Sequence, residues 1–290
     1  MGIGIALAGG GIRGIAHAGV LKALDENGIK VEAIGGTSSG SIVATLYAMG
    51  YKPYYIYVLF KKYAKEIINI KNALIINGIG NFMKSKKIGI SGLNDGMILE
   101  KMCNELALRK NINLIADIKM PLAIPAVDIS EAKEYIFTNC ASRDNINDTY
   151  ITEIEIGKAV RASSSFPAVF CPCEFKNHMF MDGGVLDNIP ILPLKNMCNK
   201  KIIAVNFESD SVEVNSDVMD IIMRTLDIMG NKISEKGLEQ SDLILKVPTD
   251  RTGLLDVEKL DKCYKYGYDT VIKNLDEIKN LNNWYLSFYF

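Results

Sequence analysis

Histidine is scarce in this chain: its 290 residues include two, His17 and His178. Any nucleophile therefore has little choice of an imidazole base, the side chain whose ordinary pKa lies nearest neutral pH. Cysteine is sparse as well. The six cysteines, at 103, 140, 171, 173, 198 and 263, are too few to staple a disulfide scaffold, and the C-x-C of Cys171 and Cys173 has no second pair beside it. Reduced, mostly buried thiols of a cytoplasmic protein are expected. Long hydrophobic runs are missing, none approaching the ~18 residues of a membrane span. The opening MGIGIALAGGG lacks the basic start of a signal peptide, so a soluble protein not exported by a cleaved signal is expected. An excess of one charge is missing too. Lysine and arginine number 33 against 34 acids, for a net charge of -1 and a pI near 6.2. No whole-molecule attraction to nucleic acid follows from that balance.

What remains is a chain that is 48% hydrophobic and 23% charged, with a mean hydropathy of +0.10 and no internal repeat or low-complexity linker. Such a chain can bury one large core, and a single domain over 1–290 is expected. IGIALA (3–8) is a short apolar run ending in glycines, and residues 12–27 carry apolar side chains at helical spacing up to Gly28. VEAIGG (31–36) repeats the strand pattern before a second helical stretch that stops at Gly50. Apolar segments at 121–127, 133–138, 201–207 and 242–247 then alternate with helical patterns at 152–163, 214–237 and 256–280. That alternation predicts a layered α/β fold with a largely parallel sheet.

The stretch 51–94 differs in composition, with eight lysines against a single acid, Glu66. Ile56, Leu59, Phe60, Tyr63 and Ile67 fall on one helical face. Two readings stand: a core-facing helix with a solvated lysine face, or a basic, lid-like insertion that touches anionic lipid.

Two glycine motifs carry the chemistry. Gly9, Gly11 and Gly14 spell G-x-G-x-x-G, the literal fingerprint of a dinucleotide-binding turn. The same residues can instead aim backbone N–H groups at a reaction intermediate, because both tasks need backbone that approaches negative charge at a helix N-terminus. Gly36-Thr37-Ser38-Ser39-Gly40 is a G-x-S-x-G sequence where the second strand turns into its helix, the setting of a nucleophile elbow. A dinucleotide fold wants an acid at the C-terminal end of that strand, and the chain offers Gly36, Thr37 and Ser38 there. Glu32 lies at the wrong end. The first loop is therefore read as an oxyanion hole formed by Gly9, Gly10, Gly11, Ile12, Arg13 and Gly14. His17 on a helix face reads as structural, and the order His, Ser, Asp does not suit an α/β-hydrolase. Asp182 ends an apolar segment and precedes Gly183 and Gly184, which alone reads as an ordinary turn.

Together these residues resemble the patatin-like phospholipase family, of the bacterial single-domain type. The resemblance rests on Gly9-Gly10-Gly11-Ile12-Arg13-Gly14, on Gly36-Thr37-Ser38-Ser39-Gly40 and on Asp182-Gly183-Gly184, in that order and spacing, with SGLNDGMILEKM (91–102) and AVRASSSFPAVFCP (159–172) as further similar segments. It runs from about residue 3 to about 207. It implies a three-layer α/β/α fold and a Ser38–Asp182 dyad without histidine, metal or cofactor, acting on glycerophospholipid or lysophospholipid esters at a membrane surface. On that reading Asp182 takes the Ser38 proton as Oγ attacks the ester carbonyl, and an acyl-enzyme follows. A carboxylate of ordinary pKa, ~3.9, is a weak base for an alcohol, so partial burial of Asp182 is expected. Arg13 either holds the loop or meets a phosphate head group, and Asp187 reads as a capping residue. Three other functions stay open: an acyltransferase using the same site, a dinucleotide-binding oxidoreductase, and a lipid-binding protein without turnover.

Overall fold

A computed structural model of the chain describes residues 2–66, 94–140, 149–167, 169–208 and 218–281. The first strand, β1 (Ile3–Leu7), is buried along its whole length and pairs in parallel with β2 (Val31–Gly36) on one side and β8 (Ile202–Phe207) on the other. Side chains buried on both faces explain why these strands read as continuous apolar runs rather than alternating ones. β9 (Leu243–Val247) extends the sheet beyond β8. On the other side, β2 is followed by β3 (Leu122–Asp128), β4 (Lys133–Thr138) and β5 (Tyr150–Ile151). Among the described residues the sheet has nine strands, mostly parallel. Its antiparallel pairings are those of β3 with β4, of β3 with β7 (His178–Asp182) and of β7 with β6 (Cys173–Phe175).

One detail of register positions the site. β2 pairs only with the start of β3, Ile34 opposite Leu122 and Gly35 opposite Ala123. β7 takes over the same edge of β3 from the opposite direction, with Asp182 opposite Ala126. Two strands approaching head-on along one edge bring their C-terminal ends together, and those ends carry Ser38 and Asp182.

The helices form two outer layers. α1 (Ile15–Glu26), α2 (Ser39–Ala48), α5 (Ile156–Ser163) and α8 (Leu260–Lys273) make one, and α6 (Ile191–Met197) with α7 (Val218–Leu238) the other. A helix over 53–66, α3, and α4 (Met97–Leu108) complete the first side, and α9 (Leu275–Leu281) closes the described chain. α1 and α8 approach closely enough that a Cβ on Gly19 would lie 2.0 Å from the Tyr264 carbonyl oxygen and one on Gly267 1.9 Å from that of Ala16.

Two helical expectations shift. The pattern at 152–163 starts as helix only at Ile156, because Ile154 and Glu155 are drawn into extended pairing with Ile115 and Leu114. The pattern at 256–280 is split at Asn274, whose amide donates to the Thr270 carbonyl at 2.7 Å. In the lysine-rich stretch, α3 buries Ile56, Phe60 and Tyr63 as its spacing predicts, while Lys61 pairs with Asp261 and Lys62 with Glu66. The remainder of that stretch, 67–93, lies outside the described residues. Among the described residues no helix is long and apolar enough to cross a membrane.

Candidate active site

Ser38 sits at the turn between β2 and α2 with φ 53° and ψ −123°, a left-handed conformation that costs a non-glycine residue of order 1–3 kcal/mol. The turn closes because its flanks lack side chains. A Cβ on Gly36 would lie 2.3 Å from the Gly40 carbonyl oxygen, and one on Gly40 2.6 Å from that of Leu7. Three hydroxyls hold the strained peptide. The Ser38 N–H donates to Ser163 Oγ at 3.1 Å, and the Ser38 carbonyl accepts from Ser41 Oγ at 2.6 Å and Ser164 Oγ at 3.2 Å. Ser163 and Ser164 end α5, within the segment that resembles the family, but their spacing alone does not disclose this role. Ser163→Ala leaves the Ser38 N–H without its acceptor. It is expected to lower folding stability by about 1–3 kcal/mol, read from the urea midpoint.

The glycine loop faces this turn. The N–H of Gly10 donates to Ser39 Oγ at 3.2 Å, that of Gly9 to the Asn188 carbonyl at 3.1 Å, that of Ile12 to the Leu254 carbonyl at 2.9 Å and that of Arg13 to the Gly10 carbonyl at 3.2 Å. The Gly11 N–H has no partner among the described residues. Of the Gly9–Gly14 loop expected to form an oxyanion hole, the amides of Gly9, Gly10, Ile12 and Arg13 thus already serve the fold. Gly11 has φ +58°, and a Cβ there would lie 2.3 Å from the Leu254 oxygen. The loop leads through a short 3-10 turn, Gly11–Gly14, into α1, and a Cβ on Gly14 would strike the Ser39 side chain. Arg13 is buried. Its Nε donates to the Gly10 carbonyl at 3.1 Å and its Nη2 pairs with Asp227 at 2.6 Å.

Asp182 ends β7 at 2% exposure. Its Oδ1 accepts from the Gly184 N–H at 2.8 Å, and its Oδ2 is buried without a hydrogen bond. Burial raises its pKa to about 7, the nearby Ser38 hydroxyl and the Gly184 N–H pulling the other way. Gly183 packs where a Cβ would lie 2.4 Å from the Pro125 oxygen, which fixes the turn directly after the carboxylate.

Neither histidine joins this pair. His17 is fully buried beside Phe207, its Nε2–H donating to the Ala8 carbonyl at 2.8 Å, and burial lowers its pKa to about 4. His178 lies at the other end of β7, about 13 Å from Asp182 by strand rise, and its Nδ1 is 2.6 Å from Asp128 Oδ2. Glu32, the acid nearest the strand a dinucleotide site would use, is engaged by Lys30 and Lys200 at the far end of β2. Asp187 uses Oδ1 to accept from the Ile189 N–H, a local capping bond. Burial holds both the Asp187 and Glu134 carboxyls above the ordinary range; the Asp187 carboxyl raises Glu134 further, while the Ile189 N–H and Glu134 pull Asp187 the other way.

Donor atoms of Asp128, Glu131 and His178 lie within 4.8 Å of one another, the one such group among the described residues. Each already has a protein partner: Ser130 N–H and His178 for Asp128, and the Tyr135 hydroxyl for Glu131.

Ser38 opens onto two cavities that meet at Gly11, Phe166 and Leu254. The first, about 680 Å³, is walled by apolar groups that include Ile42, Phe60 and Val169. The second, about 580 Å³, also contains Asp182, Asn188 and Asp227. An apolar slot beside a polar one, with a strained serine between them, suits a molecule that is greasy at one end and charged or hydrated at the other.

A family model described as patatin-like phospholipase matches residues 5–195. The lysophospholipase NTE1 of Candida albicans is 28% identical over 91% of this chain, and the probable lipid hydrolase 463L of Invertebrate iridescent virus 6 is 30% identical over 68% of it and 66% of its own length. The chain spans about a fifth of the NTE1 relative, 19% of its length. Among solved structures, VipD from Legionella pneumophila shares the fold, with a TM-score of 0.52 and 16% identity over 95% of this chain and 67% of that one.

Proposed function

The chain belongs to the patatin-like phospholipase family, and from that premise we propose that it hydrolyses fatty-acyl esters of glycerophospholipids or lysophospholipids through a Ser38–Asp182 dyad. The observation that carries this reading is a carboxylate buried to 2% exposure, with one oxygen unpaired, lining the same cavity as a strained serine at a strand-to-helix turn.

Asp182 takes the hydroxyl proton as Ser38 Oγ adds to the ester carbonyl. A pKa of about 7 gives it far more drive as a base than a surface carboxylate has. The tetrahedral oxyanion is met by the Gly11 N–H and by the positive end of the helix that follows. Collapse expels the alcohol, which receives the proton from Asp182 and leaves an acyl-enzyme. Water, deprotonated by Asp182, then releases the fatty acid and restores the serine. The apolar cavity receives the acyl chain and the polar one the glycerol and head group. The face of α3 that carries Phe60 and Tyr63 serves as a wall of the acyl slot.

The test is product analysis. Wild-type protein given lysophosphatidylcholine or diacyl phosphatidylglycerol is expected to release free fatty acid, and a Ser38→Ala control none. Transfer of the acyl group to an added alcohol in preference to water would replace hydrolysis with acyl transfer at the same site. Binding without release by the wild type would overturn the reading. Gly11→Ala, which forces a Cβ against the Leu254 carbonyl and tilts the free amide, is expected to lower kcat by about 10²- to 10³-fold. Initial rates on a soluble short-chain ester check this.

A further inference from the structure

We infer that Asp227 is a positioning residue for the oxyanion hole, acting through Arg13. The inference rests on the acyl-ester chemistry proposed above. Asp227 lies on α7, beyond the region that matches the family, in a stretch with no motif around it.

A trans peptide unit points its C=O and the next N–H in opposite directions. The carbonyl of Gly10 and the N–H of Gly11 belong to one such unit, so whatever fixes the carbonyl also aims the amide. The Gly10 carbonyl accepts from Arg13 Nε at 3.1 Å and from the Arg13 N–H at 3.2 Å. The Arg13 guanidinium therefore holds the back of the plate whose front is the unpartnered Gly11 donor.

Something must hold the guanidinium in turn. Its side chain is 5% exposed, and Nη2 meets Asp227 Oδ1 at 2.6 Å, with Asp227 itself 11% exposed. Phe207 covers the guanidinium with its ring centroid 5.4 Å away, and Arg224 takes the second Asp227 oxygen at 3.0 Å. A buried guanidinium needs such a counter-charge, and the planar fork lets one side chain reach Gly10 with Nε and Asp227 with Nη2 at once. Lysine lacks this planar fork of spaced donors. Asp227 also lines the polar cavity beside Ser38, so the helix that roofs this cavity and the loop that receives the oxyanion are joined by one ion pair.

The test uses the full chain with p-nitrophenyl butyrate and a fluorophosphonate probe, measuring Asp227→Ala, Asp227→Asn, Asp227→Glu and Arg13→Met, alone and as the Arg13→Met/Asp227→Ala pair. Asp227→Ala and Asp227→Asn are expected to lower kcat and the rate of fluorophosphonate labelling by about 10- to 100-fold, with KM within about twofold, since the lost interaction acts on the transition state. Asp227→Glu is expected to recover part of the loss. The pair is expected to be no slower than Arg13→Met alone, because a residue that acts through Arg13 has nothing left to position.

A merely structural role moves the urea midpoint instead. Costs that add in the double variant, or kcat unchanged in the isosteric Asp227→Asn, overturn the inference. Should Asp227→Ala fail to fold, the Asn and Glu variants decide alone. A wild type that the probe does not label, or labels equally after Ser38→Ala, defeats the acyl-ester reading itself and this inference with it. A labelled wild type with indifferent Asp227 variants defeats this inference only.

Discussion

Ser38→Ala is expected to erase fluorophosphonate labelling and to lower kcat on any ester substrate by roughly 10³- to 10⁶-fold, while leaving the urea midpoint nearly where it was. Alanine keeps the Cβ and so keeps the strain of φ 53°. The hydroxyl Oγ makes no hydrogen bond that holds the turn, whereas the backbone of residue 38 makes three to hydroxyls of Ser41, Ser163 and Ser164. Ser38→Gly separates the two contributions further. It removes the same nucleophile but also relieves the left-handed conformation, worth 1–3 kcal/mol, against the roughly 0.5–1 kcal/mol of extra chain entropy that glycine loses on folding. A net gain of roughly 1 kcal/mol in stability is expected for glycine and none for alanine. Equal midpoints for the two variants would show that the turn stores no strain. Residual labelling in either would remove Ser38 from the mechanism.

This turn was the most legible part of the chain, for a steric reason. Each glycine of G-x-S-x-G stands where another backbone passes within 2.6 Å of the missing Cβ, so the sequence there is dictated by local geometry. The strands that carry it were legible for a similar reason: burial on both faces requires unbroken apolar runs.

Asp182 is different. Aspartate before two glycines is what many exposed turns contain, and only the resemblance separated it from them. Its burial depends on β7 running back along β3, a non-local pairing that no window of sequence encodes. The loop has fewer free donors than its glycine motif suggests, because Leu254, which occupies the Ile12 amide, comes from the other end of the chain. The roles of Ser39, Ser163 and Asp227 are illegible for the same reason. A serine or aspartate inside a helix looks like ordinary surface until the partner it faces is known, and here those partners lie 29, 125 and 214 positions away.

Asp182→Asn is expected to move activity and stability in opposite directions. Removing the base should lower kcat by about 10²- to 10⁴-fold and abolish the pH dependence that the wild type shows. In the wild type, kcat/KM on a soluble ester should rise with unit slope as pH increases towards about 7, where the carboxyl ionises, and level off above it.

For stability the sign is set by linkage. The folded pKa lies above the unfolded value of 3.8, so the folded state binds more protons than the unfolded one between about pH 4 and pH 7. The group's contribution is fully present below pH 4 and is lost as pH rises through about 7. At pH 8 the wild type carries the whole cost of a buried charge, on the order of a few kcal/mol. Asparagine has nearly the same shape and no charge to bury. Its advantage in urea midpoint over the wild type should therefore be small at pH 4, grow up to about pH 7 and stay constant above. The other titrating groups, including the Glu134–Asp187 pair and His17, are common to both proteins and cancel in the difference. A variant that loses activity but gains no stability at high pH would mean that Asp182 is well solvated when ionised. Its role as a base would then rest on the oxyanion hole alone.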